Sequence, residues 1–416
     1  MEIHQTRNDR LRAKLDALVA WKSDYARSDA NQAAIDVLIT TNEMNHRHGT
    51  GVLVQRILKA RRDLFCIRFQ NDWGDHDLGD WNIRLPKTGE NRVECFQNIL
   101  RLLGGRKVRQ VLCVPFQVDE LMASIAIHEA FGARLCAYVM DDQNVAADGM
   151  PDAIPDELMR EFLQKSSLRL ATHPELRSAY ERKYRMPFGV LPAVAPDALI
   201  PRSVLPPVVD TGRDRGRGAL LGSFWDQSWF DRLCAALETS GREIDWFGNH
   251  RSPFVEFSAE NLRRARILPF GIVSEERLAM ELRGYPFVIV PTGTFDPAEK
   301  NHSVASLSLP GRIPLAAAIS QTPLLVIGGE DTCAARFVKH FGIGETVPYD
   351  GAAIREAMDR LSDEGLQREM RGNAARMGRA FSDVGIGEWL EESIALGRAA
   401  DARFEDAFAG YAVEAG

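Results

Sequence analysis

Residues 288–329 read VIVPTGTFDPAEKNHSVASLSLPGRIPLAAAISQTPLLVIGG. Two short apolar runs, VIVP (288–291) and PLLVIGG (323–329), bracket a polar loop and an alanine-rich helical stretch, RIPLAAAIS (312–320). A strand apolar at every position, a helix and a second such strand form a parallel βαβ unit, because only a sheet covered on both faces tolerates strands of that kind.

The same alternation extends outward in both directions. Upstream come the strands GALLGSF (218–224), IDWFG (244–248) and ARILPFG (265–271), separated by the helical stretches WFDRLCAALETS, SAENLRRA and SEERLAMELRG. Downstream lie helical TCAARFVKHFG and closing helices expected over 352–381 and 387–400. An earlier series runs through IDVLIT (35–40), LFCIRF (64–69), VRQVLCVPF (108–116), RLCAYVM (134–140) and LRLAT (168–172), again with helices between. The stretch 192–216 carries five prolines and no amphipathic period, which suits a linker. The expected architecture is α/β, with two Rossmann-like doubly wound domains facing across a cleft. Domain one is 1–195 and opens with a charged amphipathic helix, the linker is 196–216, domain two is 217–385, and 386–416 holds a helix returning to the first domain. Ligands in such sheets sit beyond the carboxyl ends of the strands.

Composition excludes several classes. The chain has 416 residues, 45% of them hydrophobic and 26% charged, the profile of a globular protein able to build cores without disulfides or metals. With 51 Lys+Arg against 58 Asp+Glu the net charge is −7, unsuited to a general electrostatic grip on nucleic acid. No apolar run is long enough to span a membrane and the first residues are too charged for a signal peptide, so a cytoplasmic location is expected. RLLGGRKVR (101–109) would serve peripheral contact with the inner face of a membrane; the plain alternative is a solvated helix end. The six cysteines, three of them within LFCIRF, VLCVPF and RLCAYVM, read as buried thiols in a reducing compartment.

No G-x-G-x-x-G follows a strand, no P-loop is present, and H-E-x-x-H is missing, leaving no signal for a dinucleotide, a nucleoside triphosphate or catalytic zinc. The histidines His46, His48 and His76 have no ligand spacing. Expected metal: none; expected cofactor: none.

The most informative chemistry lies ahead of the helix at 312. Ser303, Ser306 and Ser308 precede Leu309 and Pro310; serines and a proline at a helix start leave free amides and the positive end of the helix dipole facing an anion. Arg312 adds a planar cation with five donors, suited to a diphosphate. In YVMDDQN (138–144) two adjacent acids end a buried strand, a costly arrangement unless they are solvated, paired or used. Asp142, or else Asp141, is the candidate base or sugar-hydroxyl ligand; capping a turn is the plain alternative for Asp142.

This order of elements and motifs, from about Ile35 to Gly397, resembles the GT-B glycosyltransferases, in particular the bacterial retaining, family 4-like group that uses nucleotide-activated sugars. The resemblance implies further roles. NEMNHRHGTGVLVQRIL is similar to the family's first loop, with Gly49, Thr50 and Gly51 near the ligand. YVMDDQN resembles the fifth-strand end at the cleft. Gly222 and Ser223 take the place of the first loop facing the donor, Gly248 and Asn249 that of the second. Phe270 and Gly271 stand where the nucleotide base is held, and Thr332 near the phosphates. Two departures are visible. The loop SFWDQS lacks the cations that many members carry, and no pair of glutamates crosses the donor loop and helix, where Glu299 and Ala316 stand. The implied activity is metal-independent transfer of a sugar from a nucleoside diphosphate sugar to an acceptor hydroxyl on a glycan, lipid-linked precursor, small molecule or protein. A sugar-nucleotide epimerase of the same fold and a non-catalytic nucleotide-sugar or partner-binding relative are the alternatives.

Overall fold

The computed structural model describes residues 34–58, 61, 63–146, 154–208, 217–224, 227–249, 255–296 and 305–413. The helix expected in the first thirty residues, part of the linker (209–216), Ser303 and Glu299 lie outside the described residues.

Thirteen strands build two parallel sheets among the described residues. The first holds β1 (Ile35–Thr40), β2 (Leu64–Arg68), β3 (Trp81–Arg84), β4 (Val108–Cys113), β5 (Arg134–Val139), β6 (Leu168–Ala171) and β7 (Gly189–Val190), in the order β3-β2-β1-β4-β5-β6-β7. The second holds β8 (Gly218–Leu221), β9 (Ile244–Phe247), β10 (Ile267–Gly271), β11 (Val288–Pro291), β12 (Leu324–Ile327) and β13 (Gly344–Val347), in the order β10-β9-β8-β11-β12-β13. Strand order reverses between β1 and β4 in one sheet and between β8 and β11 in the other.

The helices are α1 (Gly49–Leu58), α2 (Arg92–Leu103), α3 (Val118–Phe131), α4 (Asp156–Lys165), α5 (Pro174–Tyr184), α6 (Gln227–Ser240), α7 (Ala259–Arg264), α8 (Glu275–Arg283), α9 (Arg312–Ser320), α10 (Cys333–Phe341), α11 (Gly351–Leu361), α12 (Glu364–Ala380), α13 (Ile386–Leu396) and α14 (Arg403–Ala407). The long helix expected over 352–381 is two helices. Asp363 accepts a hydrogen bond from the Leu366 amide and starts α12 anew, the work of an N-cap.

The second sheet shows why its strands are apolar throughout. Alternate side chains of a strand point to opposite faces. Ala219, Leu221, Val288, Val290, Leu324 and Val326 pack with α9, α10 and α12 through Ile313, Ala317, Phe337 and Met377. Their neighbours Leu220, Ile289, Leu325 and Ile327 pack with α6 and α11 through Phe230, Leu233, Ile354 and Met358. Neither face meets water.

By its contacts the chain divides into two compact units. One comprises Met1–Glu43, Ala60–Tyr138 and Ile154–Arg169; the other Met44–Lys59, Val139–Ala153 and Leu170–Gly416. All six cysteines are free and buried, as their apolar surroundings in the sequence imply.

In the first unit the buried Asp36 interrupts β1. Its carboxylate accepts from Arg109 Nε at 2.8 Å, Arg109 Nη2 at 2.7 Å, Gln110 Nε2 at 3.0 Å and also Arg61. Losing Asp36 strands the buried Arg61, while Arg109, 53% exposed, is taken up by water, so the cost lies at the low end of that for a broken buried pair, about 3 kcal/mol. Asp36→Ala is therefore expected to lower the urea midpoint of this unit by that equivalent, with an unchanged m-value.

Candidate functional site

The carboxyl end of the second sheet is organised around Arg312, the first residue of α9. Its Nη1 donates to the carbonyl of Ser223, after β8, at 2.9 Å, and its Nη2 to that of Pro291, at the end of β11, at 2.8 Å. The guanidinium thus bridges the two strands between which the order reverses. Gly222 makes room for it. Its φ is +106°, and a Cβ there would lie 2.5 Å from Arg312 Cδ and Nη1. Gly248 must be glycine for a similar reason, since a Cβ would come within 2.1 Å of the Gly222 oxygen. The Gly222 carbonyl is fixed by Trp246 Nε1 at 2.8 Å.

Arg312 is half-buried. Its Nε is sealed from solvent without a partner, and burial pulls its pKa down to about 10. Among the described residues no carboxylate pairs with it. Two of its five donors are spent on carbonyls, so among the described residues a positive charge stands at the strand ends without a counter-charge, which favours an anion there. α9 starts from Gly311 without a side-chain cap; the Ile313 amide donates to the Pro310 carbonyl at 2.9 Å and Pro314 has no N–H, so the Arg312 amide and the helix dipole are what the first turn offers the same ligand. Pro310 stands just ahead of this cap rather than in the first turn; Pro314 occupies the turn. Ala316, where the resembling family has a carboxylate, is fully buried in the core, so a glutamate at this position would be buried too.

Ser306, Ser308 and Leu309 are half-buried in the segment leading to α9. Two of this segment's carbonyls are held: that of Ser306 by Arg336 Nη2 at 3.0 Å, that of Leu307 by His173 Nε2 at 3.0 Å. Thr332 caps α10. Its hydroxyl accepts from the Ala335 amide at 3.3 Å and donates to the Gly329 carbonyl at 2.8 Å. Phe270, on edge strand β10, is 48% exposed and stacks on Phe247 at 5.2 Å. The Gly271 carbonyl beside it accepts from the Gly248 amide at 3.0 Å, and half-buried Asn249 follows.

The two acids after β5 separate clearly. Asp142 is buried, and its carboxylate accepts from the amides of Asn144 at 3.1 Å, Val145 at 2.9 Å and Ala146 at 2.7 Å. This is the geometry of a loop-holding side chain. The Tyr180 hydroxyl fixes the same turn by accepting from the Gln143 amide at 3.1 Å. Asp141 is half-buried, and among the described residues no hydrogen bond reaches its carboxylate. Burial, with the charge of Asp142 second, raises its pKa to about 6. A carboxyl that no described residue bonds and that is poised near neutrality has the properties of a general base.

α1 already begins at Gly49, which faces open space, and Thr50 lies in its first turn. Gly51 is required by its own loop, because a Cβ would meet the Asn45 oxygen at 2.3 Å. The structure brings forward Arg56, which the sequence reading passed over. It is buried on α1 and donates to the Val194 carbonyl and the Glu275 carboxylate of α8. His173, Glu175 and Arg336 were equally unmarked. A histidine before a proline hinted only at a helix start.

Among the described residues no helix is long and apolar enough to cross a membrane. No protein-family model matches the chain, and no curated protein matches it. Solved structures do. The glycosyltransferase from Rickettsia africae superposes with a TM-score of 0.58 at 13% identity, over 87% of this chain and 98% of that one. Anabaena HepE, in complex with UDP-glucose, gives 0.57 at 11% identity, over 87% and 99%. A UDP-N-acetylglucosamine 2-epimerase gives 0.53 at 12%, over 87% and 96%. With two parallel α/β sheets of seven and six strands matching these neighbours over nearly their whole length, the chain has the GT-B fold.

Proposed function

We propose that this protein is a metal-independent glycosyltransferase that takes a nucleoside diphosphate sugar as donor. The observation that carries the reading is the Arg312 guanidinium at the start of α9, between β8 and β11, with no carboxylate paired to it among the described residues. A diphosphate supplies the missing counter-charge. As the sugar leaves, charge develops on that diphosphate, and a fixed cation with preorganised amides stabilises it without a divalent ion. Phe270, stacked on one side and exposed on the other, offers a surface for the base. Asp141, rather than Asp142, takes the proton of the acceptor hydroxyl, because the Asp142 carboxylate holds three amides and no described residue bonds that of Asp141. That HepE was solved with UDP-glucose agrees with a nucleotide-sugar ligand.

In a thermal-shift series with the divalent ions chelated, UDP or GDP is expected to stabilise the protein, by about 2.7 kcal/mol at a hundredfold excess over Kd. Stabilisation that needs magnesium or manganese would refute the metal-independent reading. Incubation with a panel of nucleotide sugars then separates the activities. Transfer or slow hydrolysis supports this proposal, an epimerised sugar assigns the neighbouring epimerase activity, and binding without turnover indicates a non-catalytic relative.

A further inference from the structure

A buried network stands behind the segment that leads into α9, and its members are far apart in sequence. His173, only 1% exposed, caps α5: its Nδ1 accepts from the Leu176 amide at 3.3 Å. That fixes the tautomer, because the proton must then sit on Nε2, which donates to the Leu307 carbonyl at 3.0 Å. Burial drives the His173 pKa down to about 4, so the ring stays neutral and the tautomer holds. Two residues on, Glu175 receives Arg336 Nε at 2.9 Å on Oε1, Arg336 Nη2 on Oε2, and the Tyr411 hydroxyl at 2.6 Å on Oε1. The same Nη2 also donates to the Ser306 carbonyl at 3.0 Å, and Nη1 to that of Asp331.

In a trans peptide the C=O of one residue and the N–H of the next point in opposite directions. Holding the carbonyls of Ser306 and Leu307 towards α5 and α10 therefore turns the amide of Ser308 to the opposite side, while that of Leu307 closes the 3-10 turn at 305–306. Resting on the nucleotide-sugar reading above, we propose that His173 and the Glu175–Arg336 pair are positioning residues for the donor's diphosphate: they hold two successive carbonyls inward, so that the Ser308 amide is presented to the phosphates before the ligand arrives. None of the three touches the ligand. Their contribution is preorganisation, which lowers the cost of ordering a loop on binding.

The test compares UDP or GDP, whichever the wild-type protein binds, with the corresponding nucleoside by calorimetry. His173→Asn keeps a side-chain acceptor for the Leu176 amide but is too short to reach Leu307; Arg336→Gln removes the fork. Each variant is expected to weaken the diphosphate about tenfold while leaving the nucleoside within twofold, the loss of one charge-assisted or loop-fixing hydrogen bond. Tyr411→Phe, which removes one oxygen from the edge of the network, should fold normally and weaken the diphosphate by about threefold. Hydrogen exchange in the ligand-free His173→Asn protein should quicken at 305–309 and stay unchanged in β8 and β11. Equal losses for diphosphate and nucleoside, or unchanged diphosphate affinity in a folded variant, would overturn the assignment alone. A wild-type protein that binds neither UDP nor GDP would overturn the nucleotide reading and this assignment together.

Discussion

Asp141→Asn is expected to lower turnover of the nucleotide sugar by about 10² to 10⁴ while nucleotide affinity stays nearly constant. The amide keeps size and polarity but cannot accept the proton of an acceptor hydroxyl. The rate of the wild-type protein should climb between about pH 5 and 7, as a base with a pKa of about 6 loses its proton. Stability should move the other way. A carboxyl raised from 3.8 to about 6 holds its proton in the folded state where the unfolded chain has released it, so rising pH costs stability across that window. The Asn protein lacks this cost and should be more stable than wild type above pH 6, by on the order of 1–3 kcal/mol, with no difference below pH 4. Asp142→Asn should behave differently. It loosens the three amides of the 142–146 turn, lowering stability at neutral pH and affecting turnover only through that loop. Full activity in a folded Asp141→Asn protein would exclude it as the base.

Arg312→Ala should weaken nucleoside diphosphate binding about ten- to a hundredfold, the equivalent of losing a charge-assisted contact of about 1.5–3 kcal/mol. Nucleoside affinity should barely change, because the base is held elsewhere. The variant also leaves the Ser223 and Pro291 carbonyls without their donor, so a lower melting temperature should accompany the loss. Arg312→Lys keeps the charge but cannot bridge both carbonyls with one fork, and should fall between wild type and alanine. Normal diphosphate binding by a folded Arg312→Ala protein would reduce this residue to a strut between two strand ends.

Much of this was legible in the sequence because burial writes itself into composition. IDVLIT, VIVP and PLLVIGG read as strands since both faces of each are covered. The strands that escaped notice, WNIR (81–84), GV (189–190) and GETV (344–347), all lie at sheet edges. There a strand meets water on one side and loses its continuous apolar signature. Arg312 could be placed because a helix start shows itself locally. Adjacency gave no means of ranking Asp141 against Asp142. What separates them is the path of the chain that follows: the amides of Asn144, Val145 and Ala146 fold back onto Asp142, and no described residue bonds the carboxylate of Asp141. The Glu175–Arg336 pair spans 161 residues and the Arg56–Glu275 pair 219. Nothing local in either neighbourhood announces the partner.

The ion pair that Arg56 makes with Glu275 also bears on how the chain is assembled during synthesis. The unit formed from Met1–Glu43, Ala60–Tyr138 and Ile154–Arg169 has emerged in full once residue 169 is made. The other unit draws on Met44–Lys59 and Val139–Ala153, translated early, yet Arg56 has to wait for a residue 219 positions later, and Glu175 for Tyr411, 236 positions on. At about 5–20 residues per second this is a delay on the order of ten seconds or more, during which a buried arginine and a buried glutamate remain without their counterparts. A nascent chain arrested before residue 275 should therefore carry a protease-resistant first unit, with α1 and α5 still open to cleavage.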